Sequence, residues 1–396
     1  MLLQALGIVL LVPALLACLY HVLLALCGLR TGTRTGQDET GGVHRFALVI
    51  PAHNEEAAIA GTLRSCAELD YPADQFKVYV IADNCSDNTA AVVRAHGFTC
   101  LERRDEARRG KGAALEWAFA RVLSEGADAV VVLDADCTLD RHALRVFDRY
   151  LCAGHRVLQA CNVASNPDAT MTSYVAGVAN HIENHLFYAP KSRLGLAVLL
   201  RGTGMVFTRE VLQRHPWDAR SVVEDAEYTV RLYRAGLSVQ FVAEACVRSP
   251  FAARGQQLAV QRTRWVHGGF SFGRTHGLRL MMEGLKTGRW PLLDLGWTLW
   301  VTARSVVLLH MLLTLAVAGL CVGLVPGPLS AALLVLAAGL PLGHGLILGL
   351  GVIGLGLSGR RLALLAGSPV VIARMLGIAV AALWASHPAR WERTPR

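Results

Sequence analysis

Apolar positions fall in long uncharged runs at the two ends of the chain and in short alternating blocks through the middle. From Met1 to Leu29 no residue carries a charge. At about 1.5 Å of helix per residue that run exceeds the roughly 30 Å hydrocarbon core, so it predicts a membrane-spanning helix. No basic segment precedes it and it is too long for a signal-peptide core, so it reads as an uncleaved anchor. Near the other end, Ser305–Val325 and Leu329–Leu357 predict two more spans, with "VPGPLS" as the helix-breaking turn between them. Ser368–Trp384 is apolar but contains Arg374, and is expected to lie in the membrane interface.

Between these ends the period changes. "FALVIPAHNEE" (Phe46 to Glu56) predicts a strand that stops at Pro51, then an Ala-rich helix from about Glu55 with Asn54 as its cap. "KVYVIADNCSDNT" (Lys77 to Thr89) predicts a second strand ending in Asp83, followed by a helix. "GKGAALEWAFARVLSEG" (Gly110 to Gly126) reads as a glycine-punctuated loop opening a helix, and "VVVLDADC" (Val130 to Cys137) as a strand buried on both faces. Strands alternating with helices predict an α/β domain built on a mostly parallel sheet covered on both sides. Parallel strands present their carboxyl ends to one rim, so His53, Glu55, Asp83, Lys111, Asp134 and Asp136 are expected around one crevice. Asp134 and Asp136, two apart on an extended chain, would face the same hard divalent cation.

Composition places this domain beside a membrane. Mean hydropathy is +0.38, with 53% hydrophobic and 17% charged residues. The expected order is a transmembrane helix (1–29), a basic linker (30–45), the α/β domain (46–288), an interfacial segment (289–304), two transmembrane helices (305–357), and an interfacial helix with a basic tail (358–396). Arg30, Arg34 and Arg45 follow the first span, Arg360 and Arg361 follow the last, and the turn between the two late spans is uncharged. The positive-inside rule then predicts a multi-pass protein of the plasma (inner) membrane with its catalytic domain cytoplasmic. The net charge of +9 serves that rule and anionic headgroups. No basic stripe is interleaved with aromatics, which argues against nucleic acid as a partner. Ten cysteines without a C-x-x-C pair fit a reduced compartment.

Further chemistry lies downstream. "NHIENHLF" carries His181 and His185 one turn apart, read as an acceptor-side helix and not a zinc pair. "LLRGTGMVF" (Leu199 to Phe207) is a glycine turn entering a strand. Glu224 and Asp225 stand together, a like-charge pair that would raise the pair's pKa values. In "QRTRW", Gln261, Arg264 and Trp265 share a helix face, where Arg264 could grip phosphate and Trp265 could wall a sugar. The glycines of "GGFSFGRTHG" (Gly268 to Gly277) would allow a mobile loop.

Taken in order, "VIPAHNEE", "IADNCSDNT", "GKGAAL", "LDADC", "VVEDAEYTVRL" and "QRTRW" resemble the family 2 inverting glycosyltransferases. The resemblance is to the membrane-bound branch with cellulose, hyaluronan and poly-N-acetylglucosamine synthases and ceramide glucosyltransferases. It implies a GT-A fold, a nucleotide-sugar donor such as a UDP-sugar, and Mg²⁺ or Mn²⁺. Carried over motif by motif, Pro51, Ala52, Glu55 and Asp83 would hold the nucleoside, and Lys111 would sit by the nucleotide or its phosphates. Asp134 would lie at the ribose or diphosphate beside the metal, and Asp136 would ligate it. Asp225 would be the general base with Glu224 beside it. Arg264 would bind the nucleotide, while Arg201, Gly202, Gln261 and Trp265 would border the acceptor. The expected reaction is transfer to a lipid-linked or membrane-proximal glycan acceptor. A processive polysaccharide synthase is the alternative, but about three spans are scant for an extrusion channel unless chains associate as a homo-oligomer. A catalytically silent nucleotide-binding membrane protein would have no need of Asp136, Asp225 and Arg264 together.

Overall fold

The computed structural model describes residues 1–29, 43–218, 223–252 and 255–384, without the side chains of 255–262, 264–266 and 382–384. In chain order the first elements are α1 (Leu2–Leu29), β1 (Phe46–Ala52), α2 (Ile59–Ala67), β2 (Phe76–Asp83), α3 (Thr89–Ala95) and β3 (Thr99–Arg103). Next come α4 (Lys111–Ser124), β4 (Ala129–Val132), β5 (Thr138–Leu139), α5 (Ala143–Cys152), β6 (Val157–Ala164) and α6 (Met171–His181). A π-helical turn, Ile182–Tyr188, leads into α7 (Ala189–Arg193), then β7 (Met205–Thr208), α8 (Arg209–Arg214), α9 (Glu224–Arg234) and β8 (Gln240–Ser249). The last helices are α10 (Gly255–Thr287), α11 (Trp290–Val301), α12 (Arg304–Leu324), α13 (Pro328–Leu355), α14 (Gly359–Ala366) and α15 (Ser368–Trp384).

The chain divides into two compact units. One comprises 33–165 and 195–250, and the other 1–32, 166–194 and 251–396. Residues 166–194 and 251–288, placed by sequence within the 46–288 domain, group with the helical unit.

The α/β unit holds one sheet of order β3-β2-β1-β4-β7-β6-β8-β5. From β3 to β4 every neighbour is parallel, while β7 pairs antiparallel with both β4 and β6. The sheet is therefore mixed beyond β4, a reversal that strand-by-strand reading cannot detect because pairing direction is set by the intervening connections. Strand β4 lies between β1 and β7 and is fully buried, as its run of β-branched residues requires. Strand β3, short and half polar, escaped the sequence reading. The first helix after β1 starts at Ile59, not near Glu55, and Asn54 is no cap. It adopts φ +56° and its side chain instead accepts from the Ser86 N–H at 2.8 Å, stitching the loop after β1 to the loop after β2.

In the helical unit, Leu2–Leu29, Arg304–Leu324 and Pro328–Leu355 are long and apolar enough to cross a membrane, and the bent pair α14–α15 would make a fourth span if taken as one. Helix α1 leaves Leu6, Val9, Leu16 and Leu23 exposed, and α13 leaves Val335, Leu342 and Leu346, surfaces suited to hydrocarbon. The mobile loop expected at Gly268 to Gly277 is a correction: these residues lie inside α10. A Cβ on Gly273 would stand 2.7 Å from the Leu299 carbonyl oxygen, and Gly277 and Gly284 are equally tight against Trp300 and Leu293. The glycines serve close packing of α10 on α11, as small residues do between membrane helices.

A buried ion pair sits in this unit. Lys191 is fully enclosed, with Nζ 2.9 Å from the Asp294 carboxylate and in contact with the Thr298 hydroxyl, while the Tyr20 hydroxyl donates to Asp294 at 2.6 Å. Removing one member strands a buried charge, so Asp294→Ala is expected to lower stability by about 3–5 kcal/mol. Joint replacement Lys191→Met with Asp294→Leu should recover most of that loss, read by unfolding in detergent micelles.

Candidate active site

The site is built where β1, β2 and β4 end side by side. After β1, His53 donates through Nδ1 to the Asp83 carbonyl at 2.7 Å, and the Glu55 N–H donates to the Thr89 hydroxyl at 2.8 Å. Pro51 pairs in register with Ile81 and Ala52 with Ala82, so the candidate nucleoside residues Pro51, Ala52, Glu55 and Asp83 gather on two adjacent strand ends. Asp83 is buried, and Arg103 at the end of β3 donates to its Oδ1 at 2.6 Å. The same guanidinium reaches the Asp105 carboxylate and the Arg108 carbonyl, both at 2.7 Å. Asn84, at φ +50°, bridges Asp83 and the Asp105 backbone. Arg103 was missed from sequence because β3 was; its only trace there is an arginine within "LERRDEARR".

The second locus forms around Lys111, the first residue of α4. Its ammonium pairs with the Asp134 carboxylate and donates to the Gly202 carbonyl at 2.8 Å. Gly202 is at φ +77°, and a Cβ there would stand 3.4 Å from Lys111 Nζ and 3.6 Å from Asp225 Oδ2. Lys111, Asp134, Gly202 and Asp225, which lie far apart in sequence, are therefore neighbours. Buried Gln159 holds the turn by donating to the Thr203 carbonyl and accepting from the Arg201 N–H, each at 2.9 Å. Thr229 ties the start of α9 to the same loop: it donates to the Asp225 carbonyl at 2.7 Å and accepts from the Leu200 N–H at 3.1 Å. A polar Gln inside the apolar run "VLQACNV" was the available signal for this brace.

Asp134 and Asp136 do not share one face of a strand. β4 ends at Val132, and the Cys137 N–H bonds back to the Asp134 carbonyl at 3.1 Å, closing a turn that breaks the two-residue alternation. Asp134 points to Lys111. Asp136 Oδ1 receives the Cys137 thiol at 3.5 Å, and that thiol is 3.1 Å from the Ser249 hydroxyl at the end of β8. Backbone of Gln261, Arg264 and Trp265 is helical within α10, but their side chains lie outside the described residues, as does Val222 of the acidic motif. His181 and His185 lie in the helical unit with ring centroids 4.5 Å apart.

The electrostatics single out Asp225. Burial, then the neighbouring Glu224 carboxylate, raise its pKa to about 7, against the pull of the Ala226 N–H and of Lys111. Burial acts to lower the Lys111 pKa but is outweighed by Asp134, with Glu224 and Asp225 adding to it, so the net shift is upward and Lys111 stays charged.

The profile of a family described as "Glycosyltransferase like family 2" matches residues 44–268, more than half of the chain. The chain belongs to that family. This glycosyltransferase is 27% identical over 238 residues to a probable glycosyltransferase, YdaM, of Bacillus subtilis, covering 57% of this chain and 55% of the relative. It is 27% identical over 243 residues to a beta-monoglucosyldiacylglycerol synthase of Synechocystis, covering 60% and 50%. With cellulose synthase 1 catalytic subunit of Komagataeibacter xylinus the identity is 23%, covering 61% and 33%. The chain thus spans about half the length, or less, of these curated relatives. A solved structure of a Pyrobaculum calidifontis mannosyltransferase, in complex with GDP-Man and Mn²⁺, superposes with a TM-score of 0.62 at 19% identity, covering 97% of this chain and all of that one. That likeness bears out the GT-A fold.

In the glycosyltransferase without substrate, the Asp225 carboxyl is expected to titrate near pH 7, measured as an isotope-edited infrared carboxyl band absent from Asp225→Asn. Glu224→Gln removes the like charge and should move that titration to lower pH; Lys111→Met should move it higher.

Proposed function

We propose that this glycosyltransferase moves one sugar from a nucleoside-diphosphate sugar, with UDP as the nucleotide, to a lipid or lipid-linked acceptor at the membrane, with inversion. The observation that carries this reading is the Asp225 carboxylate, held beside Lys111 and Asp134 with its pKa raised to about 7. A carboxylate so poised suits a general base at neutral pH, where proton affinity and ionised fraction are both useful. On this reading Asp225 takes the acceptor hydroxyl's proton as that oxygen attacks the anomeric carbon. The leaving diphosphate departs on the opposite face, so the anomeric configuration inverts. Lys111 meets its charge, and the Asp83–Arg103 pair with the loop after β1 forms the nucleoside shelf.

Asp136, a partly accessible carboxylate just past β4, would ligate Mg²⁺ or Mn²⁺ as a hard-oxygen donor, with Asp134, tied to Lys111, contributing at the diphosphate side. When bound, such an ion would neutralise diphosphate charge. Arg201 and Gly202, on the turn beside Asp225, would border the acceptor, and Gln261, Arg264 and Trp265 would act as the family resemblance implies.

A lipid acceptor is supported by the apolar helices and by the relative whose name is a glucosyldiacylglycerol synthase. Processive polymer synthesis is the second reading, favoured by the cellulose synthase relatives; it would require chains to associate to frame a channel. The orientation proposed is a multi-pass protein of the plasma (inner) membrane with the domain cytoplasmic.

Membranes holding the protein, incubated with labelled nucleotide sugars of several bases, should yield organic-phase product; ethanol-insoluble polymer alone would reverse the two readings, and no transfer from any donor would defeat both. Asp225→Asn should lower kcat by about 10²–10⁴-fold with donor binding retained, and the acid limb of kcat/KM should fall near pH 7 in the wild type. Asp136→Ala should lose metal-dependent activity; undiminished turnover in chelator would remove the metal assignment.

A further inference from the structure

A second cluster of ligating side chains lies at the other end of β1. His44 stands two residues before the strand, whereas the candidate active site follows its carboxyl end, about 20 Å away for a seven-residue strand. Asp148 and Cys152 are one turn apart on α5, hence on one face. His44 Nδ1 is 2.6 Å from Asp148 Oδ1, and the Cys152 sulfur is 4.0 Å from each of those atoms. The ligand atoms of the three lie within 4.8 Å of one another.

We propose that His44, Asp148 and Cys152 bind a zinc ion with one coordination position open to solvent. One nitrogen, one oxygen and one thiolate sulfur make a borderline-soft set that suits Zn²⁺ and not the Mg²⁺ of an oxygen-only site. Bonds of about 2.0–2.3 Å at tetrahedral angles put ligand atoms about 3.3–3.8 Å apart, so the present spacings need shifts below an ångström. Asp148 is already fixed: it is buried, and its two oxygens accept the N–H groups of Val43 and His44, each at 3.1 Å. The Tyr71 hydroxyl donates to the His44 carbonyl at 2.9 Å, holding the backbone of the second ligand. Cys152 is exposed, which leaves the metal an entry path and a place for water. On binding, the imidazole proton moves from Nδ1 to Nε2, the thiol proton leaves to solvent, and the ion takes the place of the His44–Asp148 hydrogen bond. Thiolate and carboxylate together balance the dication. The ion would clasp the segment entering β1 to α5, away from the transfer chemistry.

The test uses the full-length protein in detergent, stripped of metal and then held in excess Mg²⁺ so that the active-site carboxylates are saturated. One equivalent of Co²⁺ should produce a thiolate-to-cobalt charge-transfer band that Zn²⁺ displaces. Cys152→Ser and His44→Gln should abolish the band, and Asp136→Ala should keep it. Without any substitution, Zn²⁺ should slow alkylation of Cys152 by about tenfold or more, since only the free thiolate reacts, while Mg²⁺ should not. A missing band in the wild type, a band that survives Cys152→Ser, or unprotected Cys152 in saturating Zn²⁺ would overturn the proposal.

Discussion

One ammonium group organises the candidate site. Lys111 lies among Asp134, Glu224 and Asp225, three carboxylates brought together from two distant stretches of chain. Without a cation between them, like charges in a partly buried pocket repel, and the protein would relieve the strain by protonation or by separating the elements. With it, the end of β4, the start of α4, the Gly202 turn and the first turn of α9 are drawn to one point. Burial, and then the adjacent Glu224 carboxylate, act against the ionised form of Asp225, so its pKa is raised even with Lys111 close by.

Backbone strain supplies the other half of the arrangement. Gly202 and Gly204 both sit at positive φ, and a side chain at Gly204 would collide with Ala160 and Val247. A tight left-handed turn here lets the Gly202 carbonyl face Lys111 while Met205 still enters the sheet against Val132. Asn54 and Asn84 take the same conformation on the neighbouring strand ends, where their side chains repay it by locking the two loops to each other and to Asp105. Rigid loops on strand ends are a reasonable platform for holding a charged donor in one orientation.

In the helical unit the same physics is used for cohesion. Glycine-lined backbone brings α10 close against α11, and the Lys191–Asp294 pair with Tyr20 joins α7, α11 and α1. Lys191 and Asp294 are buried among helices, where such a pair adds specificity to which helices pack.

Hydrophobic period and turn chemistry decided much in advance. The three apolar runs, the alternation of strand and helix from Phe46 onward, the buried strand before Asp134 and the glycine opening to Lys111 all follow from local pattern, because burial and backbone preference act residue by residue. What pattern could not decide was partnership across distance. The reversal of β7, the turn that separates Asp134 from Asp136, the Arg103–Asp83 pair, the Gln159 and Thr229 braces and the helical state of Gly268 to Gly277 each depend on a neighbour remote in sequence. A glycine is read as freedom when viewed alone and as a contact surface once Leu299 lies against it. Sequence thus names the groups able to do chemistry, and tertiary structure decides which of them share a dielectric and a charge, since Coulomb interaction and close packing are functions of distance in space and not of position along the chain.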